Sequence, residues 1–526
     1  MGGCCQSRDI DRGYGFQTIS MQEGKVIQEQ FAGQGQEHVF SFYDKLDFNE
    51  KQHLLRDASQ LDVEQINHLY ESLIKNGEDP SAHKGPGKLE SIEQNLVSDR
   101  SKLSEKEVEE LRQLGYEKIR QGKVAVVILA GGQGTRLGSD RPKGEYDIQM
   151  HSMKSIFQIL TERFIKAQML AAGTDQVSDD VQKCKLLVMT SPINHHETQK
   201  FFLYNDYFRA NRENVTFFQQ SMLPAITPEG KILMEEPHKI VNSPNGNGAF
   251  FDAINKNQKV KSIIEGVEYV QVIGVDNVLN KVLDPVYVGF AVKNKLQAAM
   301  KALPKRDPKE PVGVVVKKDG KYDIVEYSEL SEADANRLDP KTKELKFILG
   351  NILIFILKAD KLLELCNNSE TLNKLYHKAF KKVNYWDFQK MELVKPTTPN
   401  AYKFELFIHN FLPFCDAGKF GVLRVNREEE FAPVKNAEGS EVDSPNTARD
   451  LIYKLNIKYL REAGAIIERD TAQIEIDHLL TYEGEGLKEL VEGQKYPPPN
   501  YIKSSLFSKE NKQSNDLTPV VQFNAQ

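Results

Sequence analysis

Cysteine is scarce in this sequence, with only Cys4, Cys5, Cys184, Cys366 and Cys415 among 526 residues. That is too few and too scattered for a disulfide scaffold, and none sits in a CxxC array with zinc spacing, so reduced thiols and a cytoplasmic setting are expected. There is no run of 18 or more apolar residues, which leaves no candidate membrane span, and the first residues lack the apolar core of a signal peptide. An excess of positive charge is also missing. The formal net charge of -6 argues against a general nucleic-acid binder, so no nucleic-acid partner is expected. No internal repeat is visible, and the HRD and DFG signatures of kinases do not occur. An anionic chain that binds phosphate must gather its positive charge locally, which directs the search to basic residues beside glycines.

The chain is long enough for two to four domains. Residues 1–36 are polar, rich in glycine and glutamine, and read as a flexible arm. The region 37–121 is expected to be helical: apolar residues recur at helical spacing to about Lys75, 76–87 reads as an exposed connection, and Ser104 with Glu107 forms a capping-box pattern ahead of a helix to about Gln121. From 122 to 450 strands and helices alternate. The β-branched run Val124–Leu129 suits a strand buried on both faces, Lys185–Met189 and Tyr269–Val275 read likewise, and helices are expected near 155–171, 194–204, 249–257 and 284–301. This order predicts an α/β fold with a mixed, mainly parallel, Rossmann-like sheet, a helical region before it and a small α+β region after it, 451–526, with strands near Ile466 and Ile474 and a polar tail. Such sheets bind ligands beyond the carboxyl ends of their strands. The loop from Ala130 and the residue Asp276 both lie at such ends.

The loop reads LAGGQGTRLGSDRPKGEYD from Leu129 to Asp147. Gly131, Gly132 and Gly134 let backbone N–H groups converge on an anion, while Arg136 supplies a planar charged fork and Lys143 a point charge. A triphosphate needs that combination. The G-x-G-x-x-G fingerprint fails because Leu137 stands where its last glycine belongs, and a Walker loop fails because Lys143 precedes Gly144. A solvent-facing glycine turn is the bland reading, but the buried strand before it and the two cations beside it weigh against that.

LAGGQGTRLG followed by PKG resembles the signature of eukaryotic UDP-N-acetylglucosamine pyrophosphorylases, and the likeness extends over about 40–490. It continues through FFQQSMLPAI (217–226), PNGNGA (244–249), VIGVDNVLNKVLDP (272–285), EPVGVVVKKDGKYDIVEYSE (310–329), LGN (349–351), FAPVKNA (431–437), NTAR (446–449) and YEGEGL (482–487). The resemblance implies a nucleotidyltransferase domain over 122–450 that takes UTP and a sugar 1-phosphate, foremost N-acetylglucosamine 1-phosphate, and yields a UDP-sugar and pyrophosphate. It places Leu129, Ala130, Gly131, Gly132, Gly134, Gln219, Gly246, Asn247 and Asp276 around the nucleotide. Arg136 would face the leaving pyrophosphate, Lys143 and Lys435 the α-phosphate, and Asp276 would ligate Mg²⁺. Gly313, Glu326, Asn351 and Phe407 would contact the sugar.

The sequence departs from the family at several points. His409 stands where a second aromatic is usual, Ala249 replaces a glycine, Glu145 occupies a position commonly Met, and Ile354–Leu357 replaces Asn-His-Phe-Phe. The rival readings are a UTP-dependent enzyme for glucose, galactose or N-acetylgalactosamine 1-phosphate, and an inert nucleotide-sugar sensor. Retention of Arg136, Lys143, Asp276 and Lys435 together speaks against the sensor. The opening MGGCCQS is a separate matter. Gly2 is an acceptor for myristoylation and Cys4 and Cys5 for palmitoylation, although Gln6 stands where Ser or Thr is preferred. Two acyl signals would tie part of the protein to a membrane.

Overall fold

The computed structural model describes residues 18–76 and 87–503, which fall into two compact units. One unit gathers 18–76, 221–245 and 376–405, and the other holds 87–220, 246–375 and 406–503. Neither is contiguous in the chain, because two excursions from the larger unit return to complete the smaller one.

In the smaller unit, helices span Met21–Gly33, Phe48–Ser59 and Val63–Tyr70, with short antiparallel strand pairs supplied by the excursions. The first of these helices corrects the reading of 1–36 as a flexible arm throughout. Ser20 and Glu23 close a capping box, Phe31 is buried, and Gly24 lets Leu55 pack against the helix backbone. With only Gly24 and Phe31 buried, the helix carries almost no apolar stripe for periodicity to detect. Buried Gln36 donates to the Gly230 carbonyl (2.8 Å) and accepts from the Ile232 N–H (3.0 Å), meeting backbone groups of the first excursion.

The larger unit is built on an eleven-stranded mixed sheet. Its main strands are β1 (Val97–Asp99), β2 (Val124–Leu129), β3 (Lys185–Thr190), β4 (Val215–Gln219), β5 (Tyr269–Gly274), β6 (Ala298–Pro304), β7 (Val314–Lys318), β8 (Lys321–Val325), β9 (Leu349–Lys358) and β10 (Phe420–Arg424). The order is β4-β3-β2-β5-β9-β6-β10-β1, with only β9 antiparallel to its neighbours along that path. The β7–β8 hairpin joins β9 through Val314 and Gly350. Helices α1 (Glu105–Arg120), α2 (Ile156–Ala172), α3 (His195–Tyr204), α4 (Ala249–Lys256), α5 (Pro285–Lys293) and α6 (Pro445–Glu462) complete the layers. Val124, Val126 and Ile128 pack on the side of α2 and α5, while Val127 and Leu129 pack on the side of α4, so β2 is buried on both faces as its composition predicts. α1 and α5 meet backbone to backbone. A Cβ on Gly289 would sit 1.8 Å from the Leu111 carbonyl oxygen, so a side chain there would force the helices apart.

The α/β class and the mainly parallel sheet agree with the sequence reading. The helix expected over 284–301 does not extend that far. α5 ends at Lys293, Lys295 turns with φ +50°, and Ala298–Pro304 enters the sheet as β6 between β9 and β10. A short apolar run such as AAMKAL fits a buried helix or a buried strand equally, and here neighbouring strands decide it. Ile474–Ile476 forms a strand with Asn500–Ile502, but Ile466 makes only a single bridge, to Lys495.

Candidate active site

The carboxyl ends of β2, β3, β4 and β5 share one edge of the larger unit, together with the start of antiparallel β9. The phosphate loop leaves β2 there. Its first residue donates from the Ala130 N–H to the Met189 carbonyl (2.7 Å), and its turn is closed by Gly134 N–H to the Arg141 carbonyl (2.9 Å). A Cβ on Gly131 would lie 2.5 Å from the Gln220 side-chain amide, so any side chain there would displace Gln220. Gly132 is exposed and meets nothing within 4 Å, which leaves its backbone open to a ligand.

Asn194, buried at the start of α3, organises the loop and was not identified from the sequence. Its amide donates to the carbonyls of Ala130 (2.9 Å) and Gly132 (3.3 Å), and its oxygen accepts from the Ser191 N–H (2.8 Å). Tying those carbonyls inward leaves the intervening N–H groups for an anion. An Asn before a helix reads as an N-cap, yet this side chain caps nothing and serves the loop instead.

Four charged groups converge. Lys143 lies in a 3-10 turn after the loop, and burial pulls its ammonium below the usual lysine range. Asp276 opposes that shift, while Lys435 and Arg136 add to it. Asp276, Lys435 and Arg136 are therefore each in electrostatic range of Lys143, although Asp276 and Lys435 are far from it in sequence. Arg136 is exposed and has no ion pair among the described residues. Lys435 reaches the edge through backbone pairing: Val434 N–H donates to the Asp276 carbonyl (2.9 Å), and Asn277 binds the Glu430 carbonyl (2.7 Å) and the Ala432 N–H (2.8 Å). Fully buried Lys301 anchors the same segment from β6, bonding Asp284 (2.6 Å) and Glu430. Asn277 and Lys301 are further residues that carry no motif of their own.

Gln219 is exposed at the end of β4. Gly246, with φ +74°, and Gly248 press against the chain at Leu406 and Phe407. A Cβ on Gly246 would lie 2.3 Å from the Leu406 carbonyl oxygen, and the Asn247 side chain accepts from the Ile408 N–H (2.8 Å). This brings the expected nucleotide readers beside the expected sugar wall. Phe407 and His409 stack with ring centroids 5.2 Å apart and planes 5° from parallel, so His409 keeps a flat wall while adding ring nitrogens. Gly313 and Glu326 adjoin each other, and the Asn351 N–H donates to the Gly313 carbonyl (2.8 Å). Burial raises the Glu326 carboxyl above its ordinary range, with Glu329 adding to the shift.

Glu145 follows Lys143 in the same turn. One of its carboxylate oxygens is buried without a hydrogen-bond partner, and burial pushes its pKa to about 7, against Arg141 and with Glu197. Among the described residues no cluster of three or more His, Cys, Asp or Glu side chains forms a protein-only metal cage, and Asp276 is a single half-buried carboxylate. Cys184, Cys366 and Cys415 are unpaired thiols.

The family model described as UTP–glucose-1-phosphate uridylyltransferase matches residues 63–467. Baker's yeast UDP-N-acetylglucosamine pyrophosphorylase is 38% identical over 475 residues, covering 87% of this chain and 95% of its own. UDP-N-acetylglucosamine diphosphorylase 2 of Arabidopsis thaliana is 34% identical, covering 90% and 93%. The solved uridine diphosphate N-acetylglucosamine pyrophosphorylase of Trypanosoma brucei, in complex with an inhibitor, superposes with a TM-score of 0.77 at 30% identity, covering 89% of this chain and 95% of that one.

Proposed function

The chain belongs to the UTP–glucose-1-phosphate uridylyltransferase family, in its UDP-N-acetylglucosamine pyrophosphorylase branch, and from this premise we propose that it joins UTP to N-acetylglucosamine 1-phosphate. The products are UDP-N-acetylglucosamine and pyrophosphate. The single observation that carries the reading is the convergence of Arg136, Lys143, Asp276 and Lys435 beside a glycine loop with its carbonyls tied back.

The sugar phosphate oxygen attacks the α-phosphorus of UTP, the new P–O bond forms, and the bond to the β-phosphate oxygen breaks. A phosphate monoester is already ionised at neutral pH, since its second pKa is about 6, so no protein base is needed. The work is to hold two polyanions together and to neutralise developing charge. Lys143 and Lys435 face the α-phosphate, while the loop amides and Arg136 take the leaving pyrophosphate. Gln219, Gly246 and Asn247 read the uridine. Gly313, Glu326 and Asn351 read the sugar hydroxyls, and Phe407 with His409 forms the wall for the acetamido group. A lone carboxylate among cations suits Mg²⁺, which prefers oxygen ligands and completes its shell with phosphates and water rather than a protein cage. Asp276 would hold it, and the cation would supply charge neutralisation at the phosphates.

No helix among the described residues is long and apolar enough to cross a membrane. Gly2, Cys4 and Cys5 lie outside the described residues. Their acylation would tie a cytoplasmic enzyme partly to membranes, and an intact mass showing unmodified Gly2, Cys4 and Cys5 in protein from its native cell would end that idea.

The reaction is tested by incubating the protein with N-acetylglucosamine 1-phosphate and each nucleoside triphosphate in turn. UTP is expected to give UDP-N-acetylglucosamine and pyrophosphate in equal amounts, and chelation of divalent cations to stop the reaction. Product from another triphosphate in preference to UTP, or no product from any, contradicts the proposal.

A further inference from the structure

Strands β6 and β10 end beside a cavity of about 300 Å³, on the far side of β9 from the phosphate loop, that the transfer reaction leaves unused. Its lining includes four cations, Lys305, Arg306, Arg424 and Arg427, against two carboxylates, Asp99 and Glu428. Two of the cations are already neutralised: Arg427 lies 2.7 Å from Glu310, and Arg424 lies 3.7 Å from Asp99. Lys305 differs. It is only 6% exposed, its ammonium donates to the Pro308 carbonyl (3.2 Å), and no carboxylate lies within ion-pair distance of it among the described residues. An ammonium has three donors, and one of those on Lys305 is engaged by Pro308, which leaves two for a ligand in the cavity that Lys305 lines. Arg306 is exposed beside it, and its guanidinium has no ion pair among the described residues. Arg424 and Asp99 also line a second cavity, of about 460 Å³, whose walls include Phe347 and Leu349. Partly apolar space therefore adjoins the cationic pocket.

We propose that this pocket is a second anion site, separate from the phosphate loop, in which Lys305 and Arg306 hold the dianionic phosphate of a phosphomonoester or of inorganic phosphate. Arg424 and Arg427 add positive potential from their paired positions. The proposal does not depend on which nucleotide or sugar the main site takes. Burial also pulls the Lys305 ammonium below its usual range, against Glu310 and Asp307.

The test uses the full-length protein, limiting acetic anhydride and peptide mass spectrometry, with exposed Lys309 as internal reference. Inorganic phosphate is expected to lower acetylation of Lys305 severalfold relative to Lys309, in the wild type and equally in Lys143→Ala, whose phosphate loop is weakened. Arg306→Ala, at an exposed position that the fold does not need, is expected to lose the protection. Glycerol 3-phosphate run beside inorganic phosphate tells a phosphomonoester occupant from a free anion, and protection by either supports the site. Equal labelling with and without both anions overturns the proposal, as does protection that survives in Arg306→Ala or vanishes in Lys143→Ala.

Discussion

Around the phosphate loop the groups offered to a ligand are mostly backbone, whereas at the edge formed by β7, β8 and β9 they are mostly side chains. The loop has its carbonyls tied back by Asn194 and its first glycine wedged against Gln220, so its amides are fixed before any ligand arrives. The proposed sugar edge has Glu326 and the Phe407–His409 stack, whose side chains close no turn, and Asn351, whose side chain accepts from the Leu353 N–H (3.0 Å). Backbone donors cost little reorganisation and discriminate little among phosphates, while side chains discriminate and are free to change. On the proposed assignment, one half of the site serves the chemistry and the other the choice of sugar.

That contrast is sharpened first at Arg136. Arg136→Ala is expected to lower kcat by about 10²–10³ while leaving affinity for the UDP-sugar product near wild type, because the product lacks the pyrophosphate that Arg136 is proposed to face. Parallel loss of turnover and product affinity, measured by steady-state kinetics and calorimetry, would move Arg136 out of that role. Asn194→Ala comes next. Freeing two loop carbonyls and losing a buried amide is expected to cost about 1–3 kcal/mol, read as a roughly ten- to hundredfold fall in kcat/KM for UTP with a smaller change in the KM for sugar phosphate. An equal effect on both substrates would mean that the residue supports the fold and not the loop.

On the side of choice, His409→Phe is expected to raise the kcat/KM preference for acetamido sugars over plain hexose phosphates about tenfold, with thermal stability unchanged. An unaltered preference removes His409 from the sugar wall. The smallest effect is expected at Glu145, whose carboxyl is held near pH 7 in the fold against 4.5 ordinarily. The folded state keeps its proton longer than the unfolded chain, so the Glu145 contribution to stability falls as pH rises from about 4.5 to about 7. Glu145→Met should therefore gain about 1 kcal/mol at pH 8 over its gain at pH 4, a figure discounted for solvent screening of a half-exposed group. Equal gains at the two pH values would show that the carboxyl is not held protonated.

How far each half could be read from the sequence follows from the same contrast. The phosphate loop is local: glycines, Arg136 and Lys143 lie within 15 residues behind a strand whose β-branched run marks it as buried on both faces. Residues that pack around the loop or hold the Lys435 segment in shape carry no such local signal. Asn194 looks like a helix cap, Gln220 like a neighbour of the reader Gln219, and Lys301 like a surface lysine until Asp284 and Glu430 are seen around it. Asn194 depends on Ala130, 64 residues away, and Lys301 on Glu430, 129 residues away, which no periodicity reports. β6 was mistaken for the end of a helix because its pattern suits either state, and the Met21–Gly33 helix was missed because it buries too little to show a stripe. The sugar edge was legible only through resemblance, since Gly313, Glu326, Asn351 and Phe407 come from four separate elements and share no motif.

The proposed division between transfer and choice is tested most directly by one comparison. With UTP saturating, kcat/KM is measured by pyrophosphate release for N-acetylglucosamine 1-phosphate and for glucose 1-phosphate. A clear preference for the acetamido sugar is predicted, carried by the sugar edge while Arg136 and Lys143 act on either substrate alike. Equal values, or a preference for glucose 1-phosphate, would contradict the assignment of the Phe407–His409 wall and the choice of substrate built on it.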